Sequence, residues 1–287
     1  MLQAFLLPLL LQVSVDPSKD TITIGSHAPA QGTYSAPREP LSPQKAQLEE
    51  CMEQARKDPS TAIATASTWI TRSSGAEQAY PQQCLGMAYT SLLRWQAAEQ
   101  AFLAAHTAAR ADDYSYRARL AAMAGNSALA DGRNDAALAD LDLAIKDAAA
   151  GSDTVANGEI QIDRARALVA QGKTADAAAA LAEARRDAPQ NPDGWLLSAT
   201  LARRSGDLGA AQAQIETAAG LDPKNPQVGL EAGVIAALAG RDDAARKSWQ
   251  SVIDTSPGTP EADTANAYIA EVGGVPAAPP AAPENSR

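Results

Sequence analysis

A spacing of 34 residues recurs through the second half of this chain and constrains its fold more than any other feature. The interval separates Gly172, Gly206 and Gly240, and it also separates the members of three further columns. Those columns are Pro189, Pro223 and Pro257; Ala177, Ala211 and Ala245; and Leu181, Ile215 and Trp249. Four columns that share one period indicate a structural repeat, in which each unit buries its apolar face against its neighbours.

Each column of the repeat predicts a local feature. Numbering a unit from 1 to 34 places the glycine at position 15, the alanine at 20, the large apolar residue at 24 and the proline at 32. The glycine is expected to end a first helix in the left-handed conformation, and the proline is expected to end a second helix. Position 8 is also small, as Gly86, Gly125, Ala165, Ala199 and Gly233. Small residues at positions 8 and 20 let two antiparallel helices pack closely.

Composition also favours helices, because hydrophobic residues make up 45% of the chain and aromatic residues only 4%. Alanine, the best helix former, makes up much of the hydrophobic content that is not aromatic. We predict an all-α protein with a repeat array at 44–273. Its units are about 43–76 in degenerate form, 79–112, 118–151, 158–191, 192–225 and 226–259, followed by a capping helix at 260–273. About six extra residues after unit 118–151 are expected to lengthen the turn at residues 150–153.

Two units carry motifs that identify a family. Unit 79–112 contains Leu85-Gly86-x-x-Tyr89 and Ala98-x-x-x-Phe102, and unit 192–225 contains Trp195 ahead of Gly206, Ala211 and Leu221-Asp222-Pro223. These residues resemble the tetratricopeptide repeat pattern. The resemblance implies a right-handed α-solenoid of helix-turn-helix repeats. It also implies a non-catalytic scaffold for protein–protein interaction, which binds an extended peptide or a partner helix in a groove lined by the first helices.

The resemblance also implies which residues face the groove, since in the family these lie chiefly at positions 2, 5, 9, 12 and 13 of each unit. In this chain they are Tyr80, Gln83, Met87, Arg119, Asn126, Ile162, Arg166, Thr200, Arg203 and Arg204. Arginine and asparagine suit a carboxylate or a main-chain amide. The alternative, which we favour, is that Arg119, Arg166 and Arg203 are solvated or pair with acids such as Asp163 and Glu159. The family's two-lysine carboxylate clamp is not expected, because Gln83 and Met87 replace its first lysine and asparagine.

Several classes of function lack support in the sequence. The net charge of −10 opposes binding to nucleic acid or to an anionic membrane surface. His27 and His106 lie far apart and neither belongs to a metal-binding motif, and we expect no cofactor. No phosphate-binding glycine loop or G-x-S-x-G motif is present, so we predict that the protein is not an enzyme. His106, near the end of a second helix, is interpreted as a structural partner of the helix dipole.

The flanks of the array predict its location. Residues 1–15 contain an apolar run too short to span a membrane but long enough for a signal peptide, although no lysine or arginine precedes it. Residues 16–43 are predicted to be a disordered linker and 274–287 a disordered Pro/Ala tail. We predict an exported or periplasmic bacterial protein. The alternative is a cytoplasmic regulatory or assembly protein that uses the same groove, with the N-terminal run as a docking segment.

Cys51 and Cys84 are the two cysteines of the chain, and both fall in first helices of adjacent predicted units. If the register is right, they could come within range of a disulfide, which would suit an exported protein. The alternative of two buried free thiols is slightly favoured at this stage, since free cysteine is among the most buried residue types.

Overall fold

A computed structural model describes residues 42–273, which form thirteen α-helices and no strand. The predicted signal peptide at 1–15, nearly all of the predicted linker and the predicted tail at 274–287 lie outside the described residues. The chain divides into two compact units, Met1–Ala180 and Leu181–Arg287. Each is built from antiparallel helix pairs, so the prediction of an all-α helical-repeat fold is confirmed.

Unit one begins with a pair of helices that occupy the degenerate repeat. Its helices are α1 (Pro43–Lys57), α2 (Pro59–Arg72), α3 (Ala79–Ser91), α4 (Trp95–Ala108), α5 (Tyr114–Ala130), α6 (Asn134–Ala150) and α7 (Thr154–Ala170). A single 3-10 turn at Gly75–Gln78 precedes α3. Each helix packs on the next, and α1 and α5 also contact the following first helices, α3 and α7 respectively.

Helix α8 (Thr174–Asp187) crosses the boundary between the two units. Unit two continues with α9 (Pro192–Arg204), α10 (Leu208–Leu221), α11 (Pro226–Leu238), α12 (Asp242–Thr255) and α13 (Pro260–Gly273). Helix α11 contacts α9 on one side and α13 on the other. In α13, Ala265 and Tyr268 are buried, and the Tyr268 ring lies 5.2 Å from that of Trp249.

The two helices of a repeat approach closely at position 8, and where this residue is glycine a side chain would collide with the residue at position 24. A Cβ atom added to Gly86 would lie 2.5 Å from Cε1 of Phe102, and one added to Gly125 would lie 2.7 Å from Cγ of Leu141. Gly233 faces Trp249 in the same way. The alanines at position 20 are fully buried in all five clear repeats: Ala98, Ala137, Ala177, Ala211 and Ala245. The prediction of close packing is confirmed.

The turn between the two helices needs a residue in the left-handed conformation at position 15. Gly132, Gly172, Gly206 and Gly240 all have φ between 72° and 85°, as the glycine column predicts. In the repeat that contains α3 and α4 the same position is Leu93, which has a φ of 56° and is 56% exposed. A non-glycine residue is strained there, because its Cβ crowds the following carbonyl oxygen.

The prediction of a lengthened turn at residues 150–153 is wrong. The extra residues extend the helices instead, since α6 continues to Ala150 and α7 begins at Thr154. An alanine-rich sequence carries α6 onward. Asp153 caps α7 by accepting a hydrogen bond from the backbone N–H of Ala156 at 3.0 Å.

The structure joins Cys51 of α1 to Cys84 of α3 as a disulfide with a Cα–Cα distance of 5.9 Å. The bridge lies in an apolar cluster with Ala66 and Trp69 of α2. It therefore ties the degenerate first repeat to the second repeat.

Replacing Leu93 with glycine should stabilise unit one. Glycine removes the left-handed strain while giving up a mostly exposed side chain, so we expect the free energy of unfolding to rise by about 1 kcal/mol. Thermal and urea denaturation measure the change. Leu93→Ala is the control, because it removes the side chain but keeps the Cβ atom. A Leu93→Ala variant as stable as Leu93→Gly would contradict the explanation.

Candidate functional site

The first helices of unit one carry a pair of aromatic rings between neighbouring repeats. Tyr80 of α3 stacks on Tyr116 of α5 with ring centroids 5.8 Å apart. The Tyr116 hydroxyl donates a hydrogen bond to Oε1 of Gln83 at 2.8 Å. Burial raises the pKa of Tyr116, so the phenol stays protonated as a donor. These contacts fix the positions of both rings.

Asp163 of α7 is the centre of a second network between first helices. Its Oδ2 atom accepts a hydrogen bond from Nδ2 of Asn126 on α5 at 2.8 Å, and its Oδ1 atom pairs with Nη1 of Arg166 at 2.5 Å. The Asp163 side chain is only 17% exposed. Asn126 and Arg166 are therefore already engaged by a carboxylate of the chain itself.

Unit two contains a buried ion pair between its first helices. Arg203 of α9 donates through Nε and Nη2 to the two oxygens of Glu231 on α11, at 2.7 and 3.2 Å. The two side chains are 8% and 10% exposed. Thr200 donates its hydroxyl to the Leu196 carbonyl of its own helix at 3.1 Å. Arg203 thus ties neighbouring repeats together.

The predicted groove residues divide by their position in the repeat. At position 5, Gln83 and Ile162 are 4% and 3% exposed, so neither faces solvent as the groove prediction requires. Position 5 packs against the adjacent helices instead. Tyr80, Met87, Asn126, Arg166 and Thr200 are half-buried, and Arg119 and Arg204 are exposed. Positions 2, 9 and 13 therefore supply the accessible part of the first-helix surface.

The arginines follow the alternative interpretation. Arg166 and Arg203 pair with acids of the chain, and Arg119 is exposed. The acid that pairs with Arg203 is Glu231, which lies 28 residues away and is not among the acids predicted as partners. Glu231 could have been predicted as the partner because it lies on the first helix of the next repeat, which packs beside the helix of Arg203.

His106 has a partner that the helix-dipole interpretation missed. Its Nε2 atom lies 2.6 Å from Oδ2 of Asp147, and both side chains are buried between the second helices α4 and α6. Arg117 reaches the same carboxylate at 3.4 Å and donates to the His106 carbonyl at 3.1 Å. The sequence gives no local sign of this contact, because the residues are 41 positions apart.

A second buried ionic cluster joins α4 and α6. Arg133 pairs with Glu99 and with Asp131, while nearby Asp140 is 9% exposed and its Oδ2 atom is buried without a hydrogen-bond partner. Burial and the neighbouring Glu99 charge raise the pKa of Asp140 to about 6. A perturbed carboxyl is a candidate for acid–base chemistry. Here it is enclosed between packed helices.

Within residues 42–273, no cluster of three or more histidine, cysteine, aspartate or glutamate side chains is placed to hold a metal ion. In the same range, no helix combines the length and the apolar character needed to cross a membrane.

Comparison with known proteins supports this architecture. A family model described as a tetratricopeptide repeat matches residues 162–226 and, overlapping them, 196–260. No curated protein sequence matches the chain.

Among solved structures, the chain is similar to PilW, described as a widely conserved type IV pilus biogenesis factor. The two are 18% identical over 78% of this chain and 99% of PilW, with a TM-score of 0.61. PilF of Pseudomonas aeruginosa is 14% identical over 79% of this chain and all of its own, with a TM-score of 0.60. A thermophilic TPR protein of Thermus thermophilus is 18% identical over 68% of this chain and 98% of its own, with a TM-score of 0.52. At these identities the likeness shows the fold alone.

The buried carboxyl of Asp140 should make stability depend on pH. Its pKa in the folded chain, about 6, lies above the ordinary value of 3.8, so the folded state binds the proton more tightly. Stability should therefore fall as pH rises between these two values. We expect Asp140→Asn, which imitates the protonated acid, to raise the free energy of unfolding at pH 7 by about 1–3 kcal/mol.

Urea denaturation of both proteins from pH 4 to pH 7 measures this effect, and the gain should disappear towards pH 4. Asp135→Asn is the matched control, because Asp135 is exposed on the same helix and asparagine keeps the Oδ1 atom that accepts a hydrogen bond from Gln171. A gain that is the same at every pH would show that the carboxyl does not titrate as described.

Proposed function

Since residues 162–226 and 196–260 match the tetratricopeptide repeat family, we propose that this chain is a non-catalytic scaffold that binds an extended segment or a helix of another protein along its first helices. The observation that carries the proposal is the ordered, accessible surface of those helices. In unit one it is formed by Tyr80, Met87, Arg119 and Asn126, and in unit two by Thr200 and Arg204. Below, "first-helix surface" denotes these residues, taken within each unit separately.

The chemistry of this surface suits a polypeptide. It offers an aromatic ring, a thioether, guanidinium groups, an amide and a hydroxyl, which together can contact apolar side chains and satisfy backbone groups. The stacking of Tyr80 on Tyr116 and the hydrogen bond from Asn126 to Asp163 hold two of these side chains before a partner arrives. Side chains that are already ordered lose less conformational entropy on binding.

The proposal of a non-catalytic role rests on where the ionisable groups lie. The His106–Asp147 pair and the Glu99–Arg133–Asp140 cluster join the second helices α4 and α6, and none of these residues belongs to the first-helix surface. Their burial gives them a packing role. No step of a reaction is therefore assigned to them.

We further propose that the protein works outside the cytoplasm, in the bacterial cell envelope. The disulfide between Cys51 and Cys84 supports this location, because disulfides form and persist in oxidising compartments. The apolar run in residues 1–15 supports it as a candidate export signal.

Site-specific photo-cross-linking tests the binding surface. A photoreactive amino acid at Arg119, which is exposed on the first helix α5, should capture the partner in cells of the native host. The same group at Lys146, which is exposed on the second helix α6, is the matched control and should capture nothing. Arg119→Ala combined with Asn126→Ala should weaken partner capture by about tenfold or more. Capture that is unchanged in this double variant would contradict the proposed surface.

The mass of the intact protein from its native host tests the location. Alkylation without reductant should leave Cys51 and Cys84 unmodified, reduction should expose both thiols, and the chain should be shorter than 287 residues. A full-length chain with two reactive thiols would contradict export and favour the cytoplasmic alternative.

A further inference from the structure

The half-buried arginines of the described residues follow a rule with one exception. Of the seven arginines in residues 42–273 that are not exposed, six pair with a carboxylate. The pairs are Arg117 with Asp147, Arg133 with Glu99, Arg164 with Asp142, Arg166 with Asp163, Arg203 with Glu231 and Arg246 with Asp243. Arg185 is the exception.

Arg185 lies in the last turn of α8 and is held in place by neutral groups. Its Nη1 atom donates to the hydroxyl of Ser198 on α9, and its guanidinium carbon lies 5.5 Å from the ring centroid of Trp195. The Trp195 indole N–H donates to the Pro189 carbonyl at 2.9 Å, which fixes the ring. Ser198 donates in turn to the Gly194 carbonyl at 2.6 Å. The guanidinium therefore has a fixed position above a fixed aromatic face.

This position leaves a positive charge only partly solvated. Burial alone lowers the pKa of Arg185, and no acid of the described residues offsets it by an ion pair. A guanidinium has five N–H donors, and Ser198 accepts from one nitrogen only. The adjacent charge of Arg186 is satisfied by Asp187 at 2.8 Å. An external anion would therefore accept hydrogen bonds from the remaining N–H donors of Arg185 without breaking its contact with Ser198.

We infer that Arg185 and Trp195 form a binding site for a carboxylate of the partner polypeptide, an inference that rests on the proposed function. One guanidinium balances the single charge of a carboxylate, and its planar fork matches the two oxygens. The Trp195 ring offers an apolar surface beside that fork for the adjoining methylene or peptide groups. The carboxylate is either an acidic side chain or a chain terminus. The site joins the second helix α8 to the first helix α9, and it shares no residue with the first-helix surface.

Peptide titration of the full-length protein followed by NMR tests this site. The probes are acetyl-Ala-Glu-Ala-amide, which carries a side-chain carboxylate, and acetyl-Ala-Ala-Ala, which carries a terminal one. At least one of them should shift the Arg185 Nε–H and Trp195 indole N–H signals in a saturable way. Acetyl-Ala-Gln-Ala-amide, which is neutral, should not. The effective probe identifies the source of the carboxylate.

Variants decide whether the arginine is responsible. Arg185→Gln should weaken binding of the effective peptide by about tenfold or more. Arg185→Lys should weaken it nearly as much, because lysine lacks the planar guanidinium that binds both carboxylate oxygens. Arg241→Gln is the matched control, since Arg241 is an exposed arginine of the same unit and donates to Gln212. Its binding should be unchanged.

Three results would overturn the carboxylate site: no saturable shift with either acid in the unmodified protein, equal shifts with the neutral peptide, or binding unaffected in both Arg185 variants. The titration of the unmodified protein decides even if Arg185→Gln fails to fold. If the partner is still captured at Arg119, any of these results would contradict the carboxylate site and leave the proposed function standing. Loss of capture at Arg119 would instead contradict the proposed function.

Discussion

The structure depends on the close approach of the two helices in each repeat. Where position 8 is glycine, as at Gly86 and Gly233, the bulky residue of the second helix occupies the space that a Cβ atom would need. The alanines at position 20 are fully buried beside this contact. Small residues limit the apolar area that one repeat can bury, so stacking on neighbouring repeats adds burial that stabilises the fold. The disulfide and the buried ion pairs add ties of the same kind, because they join one repeat to the next.

Those ties also define which surfaces are free. Arg203 with Glu231 and Asn126 with Asp163 form hydrogen bonds between neighbouring repeats, and Arg166 pairs with Asp163 within α7. A buried charge without such a partner is costly, which explains why these groups are paired so regularly. Arg185 differs from these arginines because its neighbours, Ser198 and Trp195, are neutral, and this difference points to an external anion as its partner. The first-helix surface and the Arg185 site therefore offer two kinds of contact, one mixed in character and one specific for an anion.

The repeat pattern predicted much of the fold. Its predictions were wrong where the outcome depends on contacts between helices and not on the local sequence. The glycine column predicted the left-handed turns because a backbone conformation is set by the residue that adopts it. The extension of α6 and α7 was missed, since an insertion in a periodic sequence can lengthen either a turn or a helix. The groove residues were assigned by position alone, and position 5 proved to be internal at Gln83 and Ile162.

The sequence by itself determined the helical repeat, its period, its turns and the columns that pack inside each pair. These follow from periodicity and from the conformations open to glycine, alanine and proline, which are local properties. Only the tertiary structure decided that Cys51 bonds to Cys84, that His106 meets Asp147, and that Arg185 lacks an acid while other half-buried arginines have one. Charges and thiols find partners many residues away, and which ones meet is fixed by how the repeats stack.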